Sequence, residues 1–319
     1  MDFFYNVKIY DDFDDFAESV PWDLEFTQLS PGKFQADLTS FGDMDIQVGE
    51  TIYNRALLQK GSVPSGVTFA VHHPDSAPIY WRYLDFPANG IIVFPENNEH
   101  QGLSQPNHHP FTVTISEQFL TIVAEDLGLP EINHFVLKGE VLICDPMTIH
   151  RIQTYLMSLC AAMKNTGGKL LDTMISYETK WKIARLLLLA LASSKNAKST
   201  KRQLIRRKRV VDRVLEYIDT DLATSRSVPE LCRVAGVDER TLRNYFYELF
   251  SLSPKKYINC YRLNVVRSAL KRMDSPKISI VDIANEAGFW HMGQFAKDYK
   301  KLFGELPSET FRHRTTQRG

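Results

Sequence analysis

The sequence predicts a two-domain α+β chain. An N-terminal β-barrel and two adjoining helices precede a C-terminal all-α domain of two helix-turn-helix units joined by a long helix. Three observations predict it. Short apolar runs separated by Gly/Pro/Asn turns fill residues 24–143, the pattern of a barrel or sandwich. After Asp145-Pro146 the apolar period becomes helical. Charge divides at the same place: residues 1–150 hold 22 Asp+Glu against 6 Lys+Arg, and residues 151–319 hold 32 Lys+Arg against 16 Asp+Glu. A basic half of this kind suits a polyanion, and the acidic half suits a different task.

The 319 residues, 44% hydrophobic, suffice for two cores. The acidic start, MDFFYNVKIYDDFDDF, lacks a basic n-region, and the longest apolar run, LLLLALA, is too short to span a bilayer. The expectation is a soluble, cytoplasmic protein with no membrane contact. Cys144, Cys160, Cys232 and Cys260 form no C-x-x-C pair, which argues against structural zinc and thioredoxin-like chemistry.

In chain order, LEFTQL, KFQADLTSF, MDIQVG, VTFAV, GIIVF, FTVTI and HFVL read as strands, and SEQFLTIVAEDL reads as a short helix near Glu117–Leu127. MTIHRIQTYLMSLCAAMK and TMISYETKWKIARLLLLALAS read as two helices broken at Gly167-Gly168. Their apolar content exceeds one stripe, so they pack on each other and on a further surface, either the barrel or a second copy of the chain. The boundaries expected are 1–145 for the barrel, 146–192 for the helical element, 193–209 for a basic linker and 210–319 for the C-terminal domain.

The last hundred residues contain a repeat. LCRVAGVDERTLRNYFYELFSLSP (231–254) and IANEAGFWHMGQFAKDYKKLFGELP (283–307) each carry Ala-Gly after a short amphipathic segment. Apolar residues follow at helical spacing: Leu242, Phe246, Leu249 and Phe250 in one copy, Phe295, Tyr299, Leu302 and Phe303 in the other. Each copy opens with a capping-box pattern, Ser227-x-x-Glu230 or Ser279-x-x-Asp282. A short helix, a glycine turn and a second amphipathic helix make a helix-turn-helix. The spacer from Pro254 to Met273 is helical in pattern and spans roughly 30 Å at about 1.5 Å per residue. One turn of DNA is about 34 Å, so a rigid spacer of this length holds two reading helices over successive major grooves.

These residues resemble the DNA-binding domain of the AraC/XylS family of bacterial transcription regulators. IVDIANEAGF, QFAKDYKKLFGELPSETFR, LRNYFYELFSLSPKKYI and RLNVVRSAL carry the resemblance, over about a third of the chain. The chain departs from the family pattern at Gly293, at Lys297 in place of the usual arginine, and at Val266 in place of alanine. The resemblance implies promoter DNA and RNA polymerase as partners. It also implies a cupin-like (jelly-roll) N-terminal barrel that binds a small-molecule effector, and dimerisation through the adjacent helices; PANGIIVFPENNEHQ resembles part of such a barrel.

The start of each second helix faces base edges. The base-contacting candidates are therefore Arg240, Arg243 and Asn244 in the first unit, and His291, Met292, Gln294 and Lys297 in the second. Arg206, Arg207, Lys208, Arg209, Ser253, Lys255 and Lys256 are expected on phosphates. Gly236 and Gly288 are expected to make the turns, and Trp290 to be packed. Tyr53, Arg55, Trp81, Arg82 and Phe94 are the effector-pocket candidates.

A metal enzyme is the rival reading. His72, His73, His100, His108 and His109 with Glu96 or Glu99 have the residue types of a catalytic cupin but lack its H-x-H spacing to a glutamate. No catalytic residue, metal or cofactor is therefore expected, and His-His pairs in turns are expected at the surface. An adaptor whose acidic half contacts a partner protein is the third reading.

Overall fold

The computed structural model describes residues 3–63, 65–77, 79–81, 84–94, 96–129, 141–169, 171–196, 201–220, 227–272 and 279–317. They form two compact units. The first comprises Met1–Phe26, Gln35–Asn54 and Gln59–Lys198; the second comprises Thr27–Phe34, Arg55–Leu58 and Ser199–Gly319.

The strands are β1 Phe4–Tyr10, β2 Asp23–Gln28, β3 Ala36–Gly42, β4 Ile46–Tyr53, β5 Leu57–Ser62, β6 Val67–His72, β7 Ile79–Trp81, β8 Leu84–Asp85, β9 Gly90–Phe94, β10 His100–Ser104, β11 Pro110–Ile115, β12 Val141–Ile143 and β13 Lys195–Asn196. They build an eight-stranded sheet in the order β1-β3-β4-β11-β6-β9-β12-β13 and a five-stranded sheet in the order β2-β5-β10-β7-β8. β11 pairs antiparallel with both β4 and β6, and Val113 stands opposite Val48 on one side and Phe69 on the other. β1, β5, β7, β8, β10, β12 and β13 are not among the expected strands; β7, β8, β12 and β13 are only two or three residues long. The expected strand HFVL lies outside the described residues.

Among the described residues, five helices belong to this unit: α1 Phe13–Ser19, α2 Glu117–Asp126, α3 Pro146–Thr166, α4 Leu171–Met174 and α5 Tyr177–Ala192. Asp145 caps α3 by accepting from the Thr148 amide, and Gly167 ends it at φ 58°, where a glycine meets no Cβ penalty. The helix expected to run through from Thr173 is interrupted. Ser176 leaves helical geometry and its hydroxyl accepts from the Thr179 amide, so a new helix starts there.

Side chains alternate across β6. Val67, Phe69 and Val71 join the core that α2, α3 and α5 cover, while Ala70 and His72 face the opposite side, which lines an inner cavity. One ion cluster ties α5 to this sheet. The buried Lys180 ammonium lies 2.8 Å from Asp43 and 2.5 Å from Asp45, and Asp43 also accepts from the amides of Asp45 and Ile46.

The second unit contains α6 Lys201–Asp219, α7 Val228–Ala235, α8 Glu239–Phe250, α9 Pro254–Arg272, α10 Ile280–Glu286, α11 Met292–Phe303 and α12 Pro307–Gln317. α6 begins inside the stretch expected as a basic linker. Val210, Val211, Val214 and Ile218 are buried along it, a one-sided apolar stripe that favours helix. Rings from α8 and α9 meet in the core, with Phe250 and Tyr257 at 4.4 Å between centroids. Phe295, Tyr299 and Phe303 do the same along α11. Within this unit the Thr27–Phe34 segment is held by a reciprocal amide pair: Gln28 N donates to Asn264 Oδ1 at 2.9 Å, and Asn264 Nδ2 donates to Gln28 O at 2.9 Å.

Lys180→Met removes the cation and leaves the buried Asp43 carboxylate without its partner. The expected cost is about 3–5 kcal/mol of stability, measured by urea denaturation of the full chain at pH 7. A loss below about 1 kcal/mol, the worth of an exposed pair, contradicts this assignment.

Candidate nucleic-acid interface and inner cavity

The two helix pairs of the second unit are built by the same devices. Ser227 and Glu230 form a reciprocal capping box on α7, as Ser279 and Asp282 do on α10. Gly236 follows α7 at φ 68° and Gly288 follows α10 at φ 82°. The turns then differ. After α7 the chain needs three residues to reach α8; after α10 it takes Ala287 through His291 to reach α11.

The second helix of each pair is divided lengthwise. On α8, Leu242, Phe246, Leu249 and Phe250 are buried, while Arg240, Arg243 and Asn244 are exposed. On α11, Phe295, Tyr299, Leu302 and Phe303 are buried. Gln294, Lys297 and His291 are exposed there, and Met292 is half-buried. Two of the exposed groups have local partners: Arg243 pairs with Glu239 at 2.6 Å, and Gln294 donates to Asp298 at 2.8 Å. Both contacts are solvent-facing and open at little cost.

The helix starts differ electrically. Asp238 caps α8, accepting from the Thr241 amide and hydroxyl, and these bonds hold its carboxyl below the usual carboxylate range. His291 at the start of α11 makes no side-chain cap, and the first turn of α11 contains no acid. The amides there are free for an acceptor.

Among the expected phosphate ligands, Arg209, Lys255 and Lys256 are exposed and Ser253 is half-buried, its hydroxyl accepting from the Lys256 amide. Arg207 is engaged by Glu248 at 2.8 Å, with its guanidinium over the Tyr245 ring. The side chains of Arg206 and Lys208 lie outside the described residues. Trp290 corrects its expectation: it is 67% exposed in the turn before α11, because the adjacent core is filled by Phe289 and Phe295, at 5.2 Å. Tyr247, which the sequence reading did not single out, is 55% exposed on α8.

In the first unit, a cavity of about 480 Å³ is lined by side chains from both sheets. Tyr53 and Phe94 line it. Arg55 does not: its guanidinium donates to the Lys33 carbonyl at 3.0 Å within the second unit. The side chains of Trp81 and Arg82 lie outside the described residues. The expectation of surface histidines is overturned, since His72, His73, His100, His108 and His109 are all buried. Each His-His pair straddles the sheet because neighbouring residues of a strand leave it on opposite faces. His72 and His108 line the cavity, 5.6 Å apart between ring centroids.

His73 and His109 form a second group with Glu50. His109 Nε2 lies 2.9 Å from Glu50, and Lys164 of α3 lies 2.6 Å from the other oxygen of the same carboxylate. Burial alone would raise the Glu50 carboxyl, but the His109 and Lys164 hydrogen bonds outweigh it and hold the value at about 2. The trio offers metal-ligand atoms, yet its two rings are stacked at 3.8 Å and 12°. Stacked imidazoles aim their in-plane lone pairs along near-parallel lines, whereas one ion at about 2.0–2.1 Å needs them to converge. The group reads as a hydrogen-bonded ion network. Among the described residues no helix is long and apolar enough to cross a membrane.

The helix pairs have the helix-turn-helix arrangement, and residues 231–313 match the family model described as a helix-turn-helix domain. The XylDLEGF operon transcriptional activator of Pseudomonas putida is 37% identical over 101 residues, 32% of this chain and 32% of that protein. The virulence regulon transcriptional activator VirF of Yersinia enterocolitica is 27% identical over 168 residues, 51% of this chain and 59% of that protein. The chain thus spans less than two thirds of either relative. The crystal structure of the AraC-like transcriptional activator CuxR covers 81% of this chain and 94% of its own, at 13% identity and a TM-score of 0.43. What these matches share with the chain is the helix-turn-helix region of residues 231–313.

Two outcomes are expected. A Cβ at Gly236 would meet only the Arg213 guanidinium, at 3.8 Å. Gly236→Ala therefore costs only the left-handed backbone penalty, about 1–2 kcal/mol, read by denaturation; an unchanged midpoint contradicts the turn geometry. Burial pushes His72 down to about 4 and His108 well below its ordinary value. Between pH 6.5 and 4 the unfolded chain binds protons that the folded chain refuses, so stability falls as pH falls through that window. The His72 share is roughly 3 kcal/mol. Melting temperature against pH checks it: His72→Phe should flatten the slope, and an identical slope contradicts a buried neutral ring.

Proposed function

We propose that this chain is a sequence-specific transcription activator of the AraC type that binds double-stranded promoter DNA. The match of residues 231–313 to a helix-turn-helix domain carries this reading. The division of α8 and α11 into a buried apolar face and an exposed polar one supports it. Arg240 and Arg243 present forks suited to guanine, and Asn244 and Gln294 present amides suited to adenine. Met292 suits a thymine methyl, His291 stands beside it, and Lys297 offers a point charge in place of a fork. Arg209, Ser253, Lys255 and Lys256 suit phosphates, as do the free amides at the start of α11.

The first unit, in this reading, closes as a cupin-like barrel and takes a small-molecule effector in its cavity. The 146–192 element joins two copies of the chain. Exposed Met147, Met157, Tyr177 and Leu189 on its helices support that role, since apolar groups there gain from being covered. RNA polymerase is the further partner, and the cytoplasm the place of action.

Fluorescence anisotropy with full chain tests the proposal, comparing the promoter of its own gene with a random duplex at several salt concentrations. Affinity should fall steeply with salt. Arg243→Ala and Asn244→Ala should each weaken promoter binding about tenfold or more, whereas Lys255→Ala weakens both duplexes alike. Equal affinity for promoter and random DNA at every salt concentration contradicts a sequence-specific regulator.

A further inference from the structure

We infer that the cavity of the first unit takes an uncharged, ring-containing molecule whose single hydroxyl or carbonyl group hydrogen-bonds to His72 Nε2. The inference rests on the effector reading above and names the chemistry of that effector. Its volume, about 480 Å³, falls within the range of small-molecule sites.

Three observations carry it. The first is an unsatisfied group. His72 is buried, lines the cavity, and its Nε2 has no hydrogen-bond partner among the described residues. A buried polar atom left unpaired is costly, and a ligand group placed against it recovers that cost. The second is charge. The described lining residues include no lysine or arginine, and their one carboxylate, Glu18, is exposed. Burial keeps both cavity imidazoles neutral and the Tyr53 phenol protonated. An anionic ligand entering here would lose its hydration without meeting a counter-charge among the described residues. The third is shape and surface. Trp22 and Phe94 lie 5.2 Å apart between ring centroids, and Phe86 stands edge-on to His72 at 4.3 Å. Such walls favour a flat ring through offset and edge contacts.

The ring orientation of His72 fits this role. Its backbone carbonyl accepts from Gln153 Nε2 at 2.9 Å, which fixes the strand end from the α3 side, while the Phe86 ring packs against the imidazole. The imidazole is thus held in place with its Nε2 buried and unpartnered among the described residues. Whether that nitrogen donates or accepts is set by its tautomer, and a hydroxyl serves either case.

The test is isothermal titration of the full chain at pH 7.5 with three probes of one shape: 4-butylphenol, 4-butylbenzoate and butylbenzene. 4-Butylphenol should bind about tenfold or more tightly than butylbenzene, and 4-butylbenzoate should bind more weakly than 4-butylphenol. In His72→Phe the advantage of the phenol over butylbenzene should vanish while butylbenzene binding persists. His72→Gln, which keeps a hydrogen-bonding group, should retain part of it. Tighter binding of the benzoate overturns the uncharged class while leaving the effector reading standing. An undiminished phenol advantage in His72→Phe overturns the role of His72. No binding of any probe, with no shift in melting temperature, overturns the inference and leaves the effector reading standing.

Discussion

Successive side chains of β6 and of β11 leave the sheet on opposite faces, and the first unit is organised by that alternation. On one face Phe69, Val71, Phe111 and Val113 meet the helices in a continuous apolar core. On the other, Ala70, His72 and Thr112 line the cavity. The two His-His pairs sit where both faces are in use. His73 and His109 stack toward Glu50 and Lys164 of α3, while His72 and His108 turn inward. A one-residue slip of either strand would exchange these roles, so the strand register sets both the helix anchorage and the character of the cavity.

The second unit applies the same partition with the helical period. Leu242, Phe246 and Leu249 on α8, and Phe295, Tyr299 and Leu302 on α11, are buried at three- and four-residue spacing. That places Arg243, Asn244, Gln294 and Lys297 on the solvent side. The two helix pairs are not interchangeable. Asp238 brings a carboxylate to the start of α8, whereas α11 starts with no capping side chain and an exposed tryptophan beside it. α9 joins them with 19 residues, about 28 Å at 1.5 Å per residue.

Much of this is legible in the sequence because local chemistry decides it. The two capping boxes, the Gly167 break and the Ser116 start of α2 each depend on residues within one turn of chain. What local pattern cannot reveal is decided by distant partners. β1 carries exposed Val7 and Ile9 with a lysine between them, so its strand character comes from pairing with β3. Burial of the histidines follows from the second sheet and α3 covering the two faces, which no dipeptide discloses. Trp290 is exposed for the converse reason: the core beside the turn is already occupied by Phe289 and Phe295.

The proposed reading of DNA by α8 and α11, joined through α9, implies a footprint with a definite spacing. Hydroxyl-radical and methylation-protection footprinting of the full chain on its own promoter measures it directly. Two protected major-groove segments are expected on one face of the duplex, about 10 base pairs apart, with the second lost in Gln294→Ala/Lys297→Ala and the first retained. A single protected segment, or two on opposite faces of the helix, would contradict it.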